Sequence, residues 1–244
     1  MATNSKIPVK DSVVDKVTQL IKSNRRYFGS AGASLTHELY NRGESGFGHK
    51  VVDIGLRGER NTSLMLQEWI KDKPNAILVD SVHLQARDKK NSEEVSDGKD
   101  TDHVLVVGNS VIIVDTKAWR KGYSYKIGKK GTILRGNRNF RGGKVNTLAS
   151  LYIWKDFFPN ADRIFSYVCV QQKDVKVIFN QEWKKSRFKL IARQDLYRSL
   201  DWAYKAAGGA TVPLNYEMAT QVIVSAIKPL DILSQTLNSN RFKL

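Results

Sequence analysis

The apolar positions Val13, Val14, Val17, Leu20 and Ile21 recur at helical spacing, with Arg25 and Arg26 in the last turn, where cations suit the helix dipole. The glycine-rich stretches at 29–33 and 43–48 read as loops, so residues 1–50 form an N-terminal helical extension. Residues 51–244 are the organised part. Leu64, Leu66, Trp69 and Ile70 predict a helix over residues 59–71, closed by Pro74. A strand follows at 76–84, then a polar stretch at 86–101 that reads as solvated loop. Residues 102–107 and 110–116 are strongly apolar and separated only by Gly108-Asn109, a hairpin signal. A shorter hairpin is expected at 123–127 and 132–134, and a helix at 146–158 ended by Pro159. Further strands are expected at 163–170, 175–179 and 188–192, and helices at 194–206 and 217–227. The order predicts an α/β fold, one mixed central sheet flanked by helices, with no internal repeat.

No stretch approaches the about 18 consecutive apolar residues of a membrane span, and the first 25 residues lack the apolar block of a secretory signal. A soluble cytoplasmic protein with no membrane partner is expected. The single cysteine, Cys169, lies in the apolar run 165–170. It excludes an intrachain disulfide or a cysteine-rich zinc site and reads as a small core residue.

Charge changes the picture. Forty Lys and Arg against 24 Asp and Glu give a net +16. Between Thr116 and Lys155 there is no acidic residue, while Lys117, Arg120, Lys121, Lys126, Lys129, Lys130, Arg135, Arg138, Arg141, Lys144 and Lys155 fall in that stretch. Such a surface has no internal ion pairs to neutralise it, and each phosphate it contacts releases counterions, so nucleic acid is the expected partner. Trp119, Tyr123, Tyr125 and Phe140 interleave with these cations. For them, packing is favoured over stacking on bases.

The hairpin supplies candidate chemistry. If Gly108-Asn109 is a two-residue turn, paired residues have numbers that sum to 217, and Asp102 lies opposite Asp115. Their Cβ atoms would then be about 4.5–5.5 Å apart. Lys117, two residues on, shares that face, whereas His103 alternates to the other and reads as structural. Opposed like charges call for a compensating partner, and a hard divalent cation such as Mg²⁺ or Mn²⁺ is the simplest. Two carboxylates, a lysine and a basic groove fit a phosphodiester hydrolase.

Gly58-Glu59 opening a helix, the run 102–108 beginning Asp102-His103, and the run 111–117 ending Asp115-Thr116-Lys117 resemble the nuclease-related domain (NERD) group of the PD-(D/E)xK nuclease superfamily. The resemblance covers about residues 55–180. It implies a restriction-endonuclease-like core with Glu59, Asp102 and Asp115 on the metal and Lys117 as the catalytic lysine. It also implies Lys144 or Asn146 as a polar helper at the start of the following helix. Asp115 stands where that group usually has Glu, and Thr101 stands where a proline often precedes the first acid; neither departure removes a ligand. By itself, Glu59 also suits a first helical turn through the helix dipole. DNA is preferred over RNA because the superfamily mostly cuts DNA, and a homodimer would be a natural way to cut both strands. A non-catalytic nucleic-acid-binding protein and an RNase are the alternatives. Defence, DNA processing and a phage or mobile-element role all stay open.

Overall fold

The computed structural model describes residues 11–33, 49–87, 95–119, 121–128, 132–136, 138–139, 154–178 and 187–226. In chain order these form α1 (Asp11–Lys22), β1 (Tyr27–Phe28), α2 (His49–Ile70), β2 (Ala76–Arg87), β3 (Val95–Val107) and β4 (Ser110–Lys117). Then come β5 (Ser124–Ile127), β6 (Ile133–Arg135), β7 (Arg138–Asn139), β8 (Arg163–Val170), β9 (Lys176–Ile178), β10 (Phe188–Ala192), α3 (Leu196–Ala206) and α4 (Tyr216–Val224).

Among the described residues the strands make two sheets. The central one runs β1-β2-β3-β4-β8-β10. β2, β3 and β4 are antiparallel neighbours, while β1, β8 and β10 join in parallel, so the sheet is mixed. The second runs β7-β6-β5-β9. β9 therefore leaves the single sheet that the sequence pattern predicts and pairs with β5. Among the described residues no helix is long and apolar enough to cross a membrane.

Strand alternation divides the core. One face of the central sheet packs Val79, Val104, Val106, Val111 and Ile113 against α1, Trp154 and α4. The other packs Leu105, Ile112, Val114, Tyr167 and Cys169 against α2 and α3. Burial pushes the Cys169 thiol up to about 12, as an inert core residue requires. Trp119, Tyr125, Ile127 and Ile133 seat the small sheet on Val168, Val170 and Leu190. Trp119 and Tyr125 thus pack, with ring centroids 4.7 Å apart.

Several boundaries differ from the pattern. α1 ends at Lys22, before Arg25 and Arg26. α2 starts at His49, because Gly55 and Gly58 cost a helix only about 1 kcal/mol each and its buried face repays more. The stretch read as loop at 86–101 is strand from Val95 onward. Its polar residues lie on a two-stranded ribbon with β2, held by main-chain bonds that hydropathy does not register. Of the helix expected at 146–158, residues 154–157 are described and helical.

The N-terminal extension is built into the core. β1 pairs with β2 at Tyr27↔Leu78 and Phe28↔Val79, and Val17, Ile21 and Phe28 are buried against the sheet. Replacing the fully buried Phe28 by Ala is expected to cost about 3–5 kcal/mol in chemical denaturation. A loss under 1 kcal/mol would show that the segment only leans on the domain.

Candidate active site

The β3–β4 ladder runs in the expected register from Val107↔Ser110 to His103↔Val114. Gly108 takes the turn at φ +54°, and a Cβ there would meet Val212 Cγ1 at 2.8 Å. One step beyond His103↔Val114 the strands part. The Thr116 N–H donates to Asp102 Oδ2 at 2.7 Å, so a side-chain carboxylate takes the place of a main-chain acceptor. β4 continues against β8 as far as Lys117↔Val170, and β3 continues against β2.

β2 is kinked at the same level. Ser81 has φ +54°, rare outside glycine, and pairing passes from Asp80↔His103 to Val82↔Thr101. The kink shifts the alternation, so that Val82 and Leu84 face the core that Ile77 and Val79 face. Ser81 Oγ donates to the Ser30 carbonyl at 2.7 Å. Gly29, at φ +84°, packs so closely that a Cβ would lie 2.2 Å from the Asp80 carbonyl oxygen. The segment after α1 therefore buttresses the point where the strands fork.

The acidic and basic groups gather there. Lys117 Nζ donates to Asp115 Oδ1 at 2.7 Å, with side-chain exposures of 31% and 22% that leave both reachable from solvent. Asp115 is thus paired with Lys117, and Asp102 accepts from the Thr116 N–H. Glu59 is 6% exposed, and its Oε2 has no hydrogen-bond partner. It lies about three turns into α2, so the helix-dipole account of an acid in the first turn does not apply.

The electrostatics show one coupled group. Burial raises the Asp102 carboxyl well above the usual range, and Glu59 and Asp115 push the same way. Burial also raises Glu59, against the pull of His103 and Lys117. For Lys117 burial disfavours the charge, yet Asp115, Asp102 and Glu59 outweigh it and hold the ammonium above its ordinary value. Among the described residues no three His, Cys, Asp or Glu side chains converge closely enough to enclose a metal ion by themselves.

On the opposite face lies a polar network that sequence pattern did not reveal. His103 and Asp80, both fully buried, meet at Nδ1···Oδ1 2.7 Å, while His103 Nε2 lies 3.1 Å from Thr116 Oγ1. Thr62 donates its proton to the Gly58 carbonyl, so Thr116 must donate to Thr62, and His103 must donate to Thr116. Asp80 also accepts from Ser63 and Tyr27. Burial opposes a charged His103 ring and Asp80 more than restores it, raising the group above its usual value. Asp80 has no signal of its own in the sequence, and only the β2–β3 register brings it to His103.

Of the basic tract, Lys126, Arg135 and Arg138 fall on the small sheet. Arg135 stacks over the exposed Tyr123 ring at 4.7 Å. Lys121 has an acid from outside the tract, Asp174, at 3.7 Å, an exposed pair of little strength. Arg120, Lys129, Lys130, Phe140, Arg141, Lys144 and Asn146 lie outside the described residues.

Because the folded protein raises the Asp102 carboxyl, ionisation there opposes folding above about pH 4, where the unfolded side chain loses its proton. Asp102→Asn keeps an acceptor for the Thr116 N–H. It is expected to stabilise the metal-free protein at neutral pH by about 1 kcal/mol, about 2–4 °C in Tm. The gain should vanish below about pH 4. Destabilisation at neutral pH would contradict a strained carboxylate.

Comparison with known proteins bears on this geometry. The sequence profile of the nuclease-related domain (NERD) family matches residues 54–153. Among curated protein sequences none matches the chain. Among solved structures, protein VC1899 from Vibrio cholerae is similar at 13% identity and a TM-score of 0.43. The match covers 82% of this chain and 51% of that one, so the chain spans about half that protein's length. The matched residues 54–153 include Glu59, Asp102, Asp115 and Lys117.

Proposed function

We propose that the chain is a metal-dependent nuclease, with DNA as the preferred substrate and endonucleolytic or nicking cleavage of phosphodiester bonds as its reaction. The observation that carries this reading is the gathering of Glu59, Asp102, Asp115 and Lys117 at the fork of β3 and β4. Within it, one buried carboxylate oxygen, Glu59 Oε2, lacks any partner in the protein. An orphaned buried acceptor beside two further acids fits a hard cation such as Mg²⁺ or Mn²⁺. Such an ion needs only one or two protein carboxylates, its other ligands being water and phosphate. One or two of Asp102, Asp115 and Glu59 would bind it directly and the rest through water, and once bound it would polarise the phosphoryl oxygen and acidify a water.

The protein's own groups then have distinct tasks. Three carboxylates keep Lys117 charged, so it serves as a donor that orients the attacking water and offsets phosphate charge. A base would need a lowered value. Lys117 pairs in register with Val170, on which the small sheet is seated, so the basic strands β5 to β7 flank the lysine. Phosphates laid along that sheet would bring the backbone to the fork. The preference for DNA rests on the habit of the wider superfamily. A homodimer would serve double-strand cleavage.

Purified protein incubated with plasmid and with labelled RNA, in Mg²⁺, Mn²⁺ or EDTA, tests this reading. Plasmid cutting that requires metal, and that falls by about 10²–10³ in Asp115→Ala and in Lys117→Ala, is expected. Cutting unchanged in both variants would remove the site; cutting of RNA alone would reassign the substrate; binding without cutting under every metal would leave a nucleic-acid-binding protein. Charge reversal of Arg135, Arg138 and Arg141 should flatten the salt dependence of binding by about 0.9 in log–log slope for each phosphate that the variant no longer neutralises. An unaltered slope would place the groove elsewhere.

A further inference from the structure

The helix that carries Glu59 is tied to the strands of the fork by hydrogen bonds on the far side of the sheet. Thr62, one turn beyond Glu59 and fully buried, makes three hydrogen bonds, two of which leave the helix. Its hydroxyl donates to the Gly58 carbonyl at 3.1 Å, and its oxygen accepts from Thr116 Oγ1 at 2.9 Å and Gln171 Nε2 at 2.7 Å. Thr116 stands between Asp115 and Lys117. Gln171 follows β8, and its own N–H donates to the Lys117 carbonyl at 3.0 Å. One hydroxyl therefore joins the 58–62 turn of α2 to both strands beside the lysine.

The chain extends through His103 to Asp80, which accepts from Ser63 Oγ at 2.5 Å. Thr62 and Ser63 are consecutive on α2, so the helix is pinned at neighbouring residues to the two ends of one chain of bonds. Apolar packing alone lets a helix turn or slide by fractions of an ångström; two directional anchors about 100° apart on its surface oppose both motions. The fit is close. A Cβ at Gly58 would lie in van der Waals contact with Thr116 Cγ2 at 3.5 Å, Ala118 Cβ at 3.7 Å and Gln171 Cγ at 3.8 Å.

We propose that Thr62 and Gln171 are positioning residues, which through this buried chain set the rotation and depth of α2 so that Glu59 faces Asp102, Asp115 and Lys117. What Glu59 does at the site rests on the nuclease reading; how it is aimed does not.

A double-mutant cycle on the metal-free full-length chain tests the proposal, with thermal denaturation as readout. Glu59→Gln removes a buried charge facing two other acids and is expected to raise Tm by about 2–4 °C in the wild-type background. In Thr62→Val, which keeps shape but removes the hydroxyl, less than half of that shift should remain. Thr62→Ser should restore it. A residue that merely fills the core would leave the Glu59→Gln shift equal in all three backgrounds, and that result would overturn the proposal. Should Thr62→Val fail to fold, Gln171→Met perturbs the same chain independently, and the same loss is expected. In a second arm, calorimetric titration with Mn²⁺ alone should show about tenfold weaker binding in Thr62→Val and less than twofold in Thr62→Ser. Equal Mn²⁺ affinity in wild type and Thr62→Val would count against the chain. A coupled cycle in a wild-type protein that binds no Mn²⁺ would sustain the positioning chain and remove the metal-dependent reading.

Discussion

Where β3 and β4 part, the Thr116 N–H takes as its acceptor the Asp102 carboxylate, at 2.7 Å. A buried N–H without a partner costs about 1–3 kcal/mol, so the fork is tolerable only with such a substitute. That one bond commits Asp102 to the gap between the strands. It also leaves β4 free to run on against β8, which carries Asp115 and Lys117 to the same place. Ser81 in its left-handed conformation and the close approach of Gly29 to Asp80 hold the other side of the gap. The site is the place where main-chain pairing gives way to side-chain chemistry.

The fork carries an electrostatic cost. Three carboxylates act electrostatically on one another and on one lysine, and burial raises Asp102 and Glu59 against their charged forms. A fold selected for stability alone would remove at least one of these acids. Glu59 Oε2 is left without a hydrogen-bond partner among them. The lysine responds in the opposite sense, its ammonium reinforced by the same carboxylates.

The two faces of the central sheet divide the labour. On one, Asp115 and Lys117 are reachable from solvent, with Asp102 beside them. On the other, the buried Asp80–His103 pair is joined through Thr116 and Thr62 to Gln171 and α2. A buried ion pair adds little net stability, but breaking it is severe, so its value lies in fixing geometry. Thr116 belongs to both sides: its N–H faces the site and its hydroxyl the network.

Much of this was legible in the chain. Gly108-Asn109 between two apolar runs determined the hairpin and its register, and with them the approach of Asp102 and Asp115, because strand periodicity is a local property. The same alternation sent His103 to the far face. Other features had no local signal. Gly55 and Gly58 masked the true start of α2, and polar side chains hid the β2–β3 ribbon, whose bonds are made by the main chain. Asp80, Thr62 and Gln171 are ordinary polar residues in sequence. Only the packing of α2 across the strands, with the burial that forces each donor to find an acceptor, made them one network. The sequence by itself determined which side chains the hairpin would bring near one another. The tertiary structure decided how Glu59 is aimed at it, because that depends on contacts between residues 54 and 109 positions apart.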